Sequence, residues 1–325
     1  MATYIDIHGN NIPIVSADPS NPLVGEVWYN TTTSKLKGYG YSPAGTWATV
    51  PSTSNTYQSG GAAGISTSAL AFGSSQPAAY RKTEYYDGTS WTAKPDVSQD
   101  ADYASGFGLY SGAIAAGDGG PVGANSTSSW SGTAWTSVNP MTQYGYAGVA
   151  LGIQTAGLLA SRFDGSGPGP TNYVELWDGT CWSNSPNDLN TSRYNAAAAG
   201  TQGQAIVFGG VLGPPGPTGA TETYSGGAWT TVNPLNTARN AAAGSGTQTQ
   251  CIAYGGGPPT KISATELWDG TCWSANPNGM NTARGEMNNT LGTYSGTLCI
   301  GGVDHNTTVE EYTGPGNRTL TFTAS

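Results

Sequence analysis

The chain has little charge. Only 10% of its 325 residues are Asp, Glu, Lys or Arg, and 11 Lys+Arg against 20 Asp+Glu leave a formal net charge of -9 with a pI near 4.5. Gripping a phosphate backbone depends on Lys and Arg displacing counterions, so nucleic acid is not an expected partner. Long apolar runs are missing as well. The longest weak candidate, Gly148 to Ala160, is broken by glycines and Gln154 and falls short of the roughly 18–20 residues that span a bilayer, so no membrane insertion is expected. Histidine is limited to His8 and His305, and no Cys/His cluster has metal-site spacing. Neither a metal nor a cofactor is expected. The first residues, Met1 to His8, offer no basic region and no apolar region, so the sequence reads as lacking a signal peptide.

Cysteine is sparse, at four. Cys181 and Cys272 stand at equivalent places in two copies of one phrase, which puts them beyond the Cα separation of roughly 7 Å that a disulfide tolerates. Cys251 and Cys299 fall in short apolar strands, where a thiol behaves as a small buried hydrophobe. Four free thiols are expected. Glycine is abundant, at 49 residues, and together with Thr, Ser and Asn it disfavours helix and favours short strands joined by tight turns.

What the chain does have is a period. Tryptophan returns at Trp47, Trp91, Trp135, Trp182, Trp229 and Trp273, every 44 to 47 residues. The clearest copies run Val174-Glu175-Leu176-Trp177-Asp178-Gly179-Thr180-Cys181-Trp182 and Thr265-Glu266-Leu267-Trp268-Asp269-Gly270-Thr271-Cys272-Trp273. Strand-like repeats of this length are the sequence signature of β-propeller blades. The unit beginning at Arg239 reads as four strands: a small-residue strand Asn240 to Gly244, an apolar strand Cys251 to Tyr254 ending on Gly255-Gly256-Gly257, a strand Thr265 to Trp268, and, after the Asp269-Gly270 turn, a strand around Trp273. Small side chains suit a crowded centre, double glycine permits close backbone approach, and Asp-Gly favours a tight reversal.

This pattern resembles the kelch repeat. The resemblance covers residues 53–323 and degenerates in the second and third units, where Gly-Gly becomes Gly117-Asp118 and Ala160-Ser161. It implies an all-β, six-bladed kelch-like β-propeller over residues 51–325. The last unit reads as ending on a fourth strand at Arg318 to Thr323 that lacks its Trp.

Residues 1–50 stand outside the array. The run Gly25-Glu26-Val27-Trp28-Tyr29-Asn30-Thr31-Thr32-Thr33-Ser34-Lys35-Leu36-Lys37-Gly38-Tyr39 resembles a short β-module found in structural and fibre proteins of tailed bacteriophages. The resemblance implies an N-terminal β extension that attaches the propeller to other virion proteins. The other reading is an extra hairpin around Trp47 that closes the ring as a seventh or composite blade.

Chemistry is hard to place in this sequence. Kelch-like copper oxidases need paired His and a redox Tyr, which two scattered His do not provide. Glycoside hydrolysis needs two facing carboxylates, but Asp87, Asp178 and Asp269 read as turn residues, while Glu84, Glu175, Glu222 and Glu266 recur at one repeat position and read as structural. No catalytic residue is expected.

Arg193, Arg239 and Arg284 recur in Asn-Thr-x-Arg phrases ahead of three successive first strands. They read either as donors for a glycan or carboxylate-bearing polymer or as partners of the repeated Glu of a neighbouring blade. Variable loops share that face and are the usual seat of recognition, so Asp164, Tyr173 and Lys261 join the candidate binding residues.

The expectation is a non-enzymatic virion structural protein, part of a tail fibre, appendage or head fibre. It would be made in the host cytoplasm and would display its propeller toward a host-surface glycan. A secreted carbohydrate-binding lectin or glycan-active enzyme on the same scaffold is the second reading.

Overall fold

The computed structural model describes residues 12–117, 125–164, 169–213, 216–257, 260–287, 291–304 and 307–322. Among them there is no α-helix. The chain divides into two compact units, Thr46–Thr313 and a smaller one that joins Met1–Gly45 to Gly314–Ser325.

The larger unit is a succession of antiparallel sheets. Five have four strands in chain order, beginning with Gly61–Ile65, Ser105–Leu109, Val149–Ile153, Ala197–Thr201 and Ala243–Thr247. A sixth has three strands among the described residues: Gly296–Ile300, Val309–Thr313 and, as its outer member, Thr46–Val50. The architecture is all-β and consistent with a multi-blade propeller.

Two constraints set each sheet against the next. One is the glycine that ends each second strand. A Cβ on Gly73, Gly209, Gly255 or Gly301 would fall 1.9 to 2.7 Å from the carbonyl oxygen of Ala101, Arg239, Arg284 or Tyr57 respectively. Each of those carbonyls belongs to the segment leading into the following sheet, and the last pairing brings the sixth sheet against the first. Ser161 takes this place in the third sheet; it keeps the left-handed φ of 64°, and its hydroxyl donates to the Arg193 carbonyl at 2.9 Å.

The other constraint is the fourth-strand Trp. The indole N–H of Trp135, Trp182 and Trp273 donates to the hydroxyl of Thr83, Thr127 and Thr221, each at the start of the third strand in the preceding sheet, at 3.0 to 3.2 Å. Trp229 has no such partner, because Val174 holds the corresponding place.

Trp47 follows the same rule. It stands opposite Tyr312 across the sixth sheet and donates to Thr265 of the fifth at 3.0 Å. The sixth sheet therefore takes its outer strand, and the Trp that the last repeat lacks, from Thr46–Val50 at the start of the chain. The boundary at residue 50 moves accordingly to residue 45.

The C-terminal strand needs a correction as well. Gly316–Phe322 is not the fourth strand of the last repeat. It pairs with Lys35–Ser42 in the smaller unit, where the strand order is Ile14–Val15, Val27–Asn30, Lys35–Ser42, Gly316–Phe322.

On one face of this small sheet the Asp18 carboxylate accepts from Trp28 Nε1, Asn30 Nδ2 and Lys37 Nζ at 2.6 to 3.0 Å. These bonds hold its pKa down at about 2. They also give the Trp-Tyr-Asn and Lys-Leu-Lys phrases a physical reason: alternate residues of two paired strands meet one acid.

Six further glycines were not singled out by sequence reading. Gly64, Gly108, Gly152, Gly200, Gly246 and Gly292 have φ between +89° and +124°, and a Cβ on each would lie 2.1 to 2.5 Å from a carbonyl four residues on. They stand just ahead of the second strands, and all six line one cavity of about 140 Å3.

If Trp47 acts as a repeat tryptophan, Trp47→Ala should destabilise the larger unit by about 3–5 kcal/mol, as for a buried Trp elsewhere, and by about as much as Trp135→Ala. Urea unfolding followed by tryptophan fluorescence reads both. A loss below about 1 kcal/mol for Trp47 alone would remove it from the core.

Candidate functional site

The candidate arginines are interior. Arg193, Arg239 and Arg284 are each at most 2% exposed. Each ion-pairs with a glutamate of its own sheet, Glu222, Glu266 and Glu310 respectively, and not with that of a neighbouring blade. The pairing stays inside one sheet because the lead-in segment folds back across the strands it precedes.

Each guanidinium also donates to two backbone carbonyls: Arg193 to Gly209 and Ala220, Arg239 to Gly255 and Ala264, Arg284 to Gly301 and Thr308. Those carbonyls flank the loop between second and third strands, so each Arg pins the loop at both ends. Burial pulls the guanidiniums of Arg193 and Arg239 below their ordinary pKa, and the paired glutamates oppose that shift. Their donors are thus engaged within the fold and do not face a polymer.

The glutamates complete the arrangement. Glu222 accepts the Asn190 N–H, Glu266 those of Asn236 and Thr237, and Glu310 those of Asn281 and Thr282, at 2.6 to 3.2 Å. The Asn side chains of 190 and 236 donate to the carbonyls of Trp229 and Trp273. The Asn-Thr-x-Arg phrase and the repeated Glu are two halves of one buried structure.

The third sheet exchanges two of the parts. Gly145 stands where the others have Arg, and Arg162 stands where they have the second glycine of the doublet. Arg162 is buried and ion-pairs with Glu175; its Cβ would lie 3.0 Å from a Cβ placed on Gly145. The doublet position is therefore Ser161-Arg162, one residue on from the Ala160-Ser161 read in the sequence, and its second member is a relocated arginine that sequence reading missed. In the first sheet Tyr57 occupies the arginine position, and Glu84 accepts instead from the N–H groups of Ser54 and Asn55 and from the Asn55 amide.

The remaining candidates lie in the loops between second and third strands. Lys261 ion-pairs with Asp304, both exposed. Tyr173 is 46% exposed. Asp164 is half-buried in a two-residue strand, paired with Gly169. The structure does not gather these three with the arginines into one site.

It gathers a different set: Tyr103, Tyr146, Phe163 and Tyr194 form a half-buried row with successive ring centroids 5.7, 5.5 and 5.1 Å apart. The row crosses from the second to the fourth repeat. Glu286 and Asp102 lie close enough that, after burial, their charges raise the Tyr103 pKa, and Glu286 accepts from Gln58 Nε2 at 2.5 Å. Tilted aromatic rings beside carboxylates suit the apolar faces and hydroxyls of a sugar. The signal in the sequence is slight, a Tyr at the same point of two repeats; in the structure Tyr146 and Tyr194 each precede a residue with left-handed φ, Ala147 and Asn195.

All four thiols are free, with Cys251 and Cys299 buried and Cys181 and Cys272 exposed. Burial pushes Cys251 well up and Cys299 up to about 12, while the Asp269 carboxylate raises Cys272.

Two measurements follow from this geometry. Arg162→Met should cost about 3–5 kcal/mol by stranding the buried Glu175 charge, and Arg162→Met with Glu175→Gln should recover most of it; an additive pair of losses in urea unfolding would show that the two do not act as one. An aromatic disulfide reagent at pH 8 should titrate two thiols in the folded protein, Cys272 more slowly than Cys181, and four after unfolding. Fast reaction of all four in the folded state would contradict the burial of Cys251 and Cys299.

No protein-family model matches the chain, and no curated protein does. Among solved structures, that of YjhT superposes with a TM-score of 0.62 at 13% identity, covering 83% of this chain and 99% of that one. At this identity the likeness is one of fold: repeated antiparallel sheets of the kind that build a multi-blade β-propeller.

Proposed function

We propose that the larger unit is a six-bladed kelch-like β-propeller closed by Thr46–Val50, and that the chain is a non-enzymatic structural protein of a tailed-bacteriophage particle. In this reading the propeller is displayed from a tail fibre, appendage or head fibre, and the smaller unit attaches it to another virion protein. Six equivalent glycines around one cavity, and contacts that run from each sheet to the next and from the sixth to the first, support the blade count.

One observation carries the virion reading. The residues that resemble the phage module, from Gly25 to Tyr39, lie in a compact unit of their own, built from both ends of the chain. Attachment and display are thus physically separable. The aromatic row from Tyr103 to Tyr194 supports recognition of a host-surface glycan, and it equally favours the second reading, a secreted glycan-binding lectin. Catalysis is the weaker option for the repeated carboxylates, because Glu175, Glu222, Glu266 and Glu310 are buried and matched to arginines.

The test is a truncation placed by the structure. A chain reduced to residues 46–313 retains every described strand of the larger unit and should fold, keeping the near-UV circular dichroism of every tryptophan but Trp28, yet fail to join particles assembled with the producing phage genes. Truncation at residue 50 would confound the result by removing the outer strand of the sixth sheet. Normal incorporation of 46–313 would overturn the assignment of attachment to the smaller unit.

A further inference from the structure

The smaller unit is short of core. Among the described residues, Trp28 is its one fully buried large apolar side chain, whereas seven of the thirteen exposed large apolar side chains belong to it. Domains of this size bury too little surface to be secure alone and commonly lean on cross-links, metals or association. All four cysteines lie in the larger unit, so no disulfide within the smaller unit can supply the deficit.

The exposed residues are ordered by the sheet. Residues directly opposite on paired strands share a face, and the register sets Ile14 opposite Tyr29, Tyr29 opposite Leu36, and Leu36 opposite Phe322. One apolar row therefore crosses all four strands. A second row beside it runs Val27, Gly38, Leu320. Ile14 is 74% exposed and Phe322 48%.

The glycine flattens the centre of this face. A Cβ on Gly38 would fall 2.9 Å from the Phe322 ring, so only a bare backbone lets that ring lie down on the sheet. The opposite face is already served, by the loop that brings Asp18 to Trp28, Asn30 and Lys37.

We propose that this apolar face is the surface through which the chain associates with a second copy of itself. The two rows contain no acidic residue, so two chains of net charge -9 can meet there without opposing carboxylates. Elsewhere an acidic surface disfavours self-association. Face-to-face packing of two such sheets, about 10 Å apart, supplies the core that the small unit lacks. The inference goes beyond the virion reading and does not rest on it, since self-association is measurable on the purified chain.

Sedimentation velocity of the full chain across micromolar concentrations tests it. The wild type should be a dimer or larger oligomer, and Ile14→Thr with Phe322→Thr should raise the dissociation constant at least tenfold. Tyr41→Thr, at a position 63% exposed whose register places it on the other face, should change it little. Hydrogen exchange at residues 27–42 reports whether the small sheet stays folded; if the double variant loses that protection, the single Tyr29→Thr variant replaces it.

A wild type that is monomeric throughout would overturn the proposal, as would a double variant that associates like the wild type. Equal dissociation by Tyr41→Thr would also overturn it, by removing the dependence on this face. A monomer in which the face loses hydrogen-exchange protection only when residues 1–11 are deleted would assign the surface to the chain's own N-terminus.

Discussion

The larger unit depends on a carboxylate buried in the third strand of most of its sheets. Glu175, Glu222, Glu266 and Glu310 are essentially inaccessible to water, where an unpaired charge would be too costly to keep. Each is met by one guanidinium and by backbone N–H groups of the segment that leads into its sheet. A buried pair of this kind adds little net stability over a well-packed apolar equivalent, because desolvation consumes most of the attraction. What it adds here is position. The lead-in segment belongs to no named strand, and the Glu, the Arg and the Asn amide add to its scattered backbone bonds in fixing where it crosses. The loop between second and third strands hangs from the same guanidinium, so the surface loops inherit their placement from a buried charge.

That placement accounts for the glycines. Once the Arg stem occupies the space beside the second strand, the residue opposite has to be small: a Cβ on Gly256 or Gly302 would come within 3.1 to 3.4 Å of the Cβ of Arg239 or Arg284. The third sheet shows that the requirement concerns the space and not the sequence position. There the Arg comes from the opposite side and the glycine moves to residue 145. The same guanidinium reaches the same carboxylate by a different route, and the repeat pattern breaks in the text while it persists in the structure.

This is why the fold was legible and the site was not. Trp spacing, Asp-Gly turns and apolar second strands are local signals, each visible in one repeat and confirmed by the next, and they placed most strands. The Asn-Thr-x-Arg phrase was just as visible, but its meaning depended on whether three guanidiniums point to solvent or inward, which no spacing decides. Arg162 could not be found by periodicity because it occupies a glycine's place. Trp47 was left between two readings and Gly316–Phe322 misassigned for a related reason: strand order in space departs from strand order in sequence where the chain ends, and each end strand pairs with a segment more than 200 residues away. The aromatic row was hidden because its four rings come from three different repeats.

The arrangement of the ends decides how force passes along the chain from one unit to the other. The chain passes between the units twice, after Gly45 and after Thr313. Thr46 and Thr313 are directly paired, so both crossings reach the same end of the same sheet. A pull on the smaller unit loads Thr46–Val50 and Val309–Thr313 together instead of peeling the outer strand away from its neighbour. Resistance then falls on the next ladder, between Val309–Thr313 and Gly296–Ile300, and on the side chains that key the pair into the fifth sheet. Those are Trp47 and Tyr312, whose rings lie 5.2 Å apart, and Tyr254, 4.9 Å from Trp47. Trp47 adds its hydrogen bond to Thr265. Its aromatic contacts and this bond sit where tension between the units enters the larger one. A single linker joined to one outer strand would present that strand to be stripped; two paired strands, keyed to the fifth sheet by a tryptophan bonded as Trp135, Trp182 and Trp273 are, share the load.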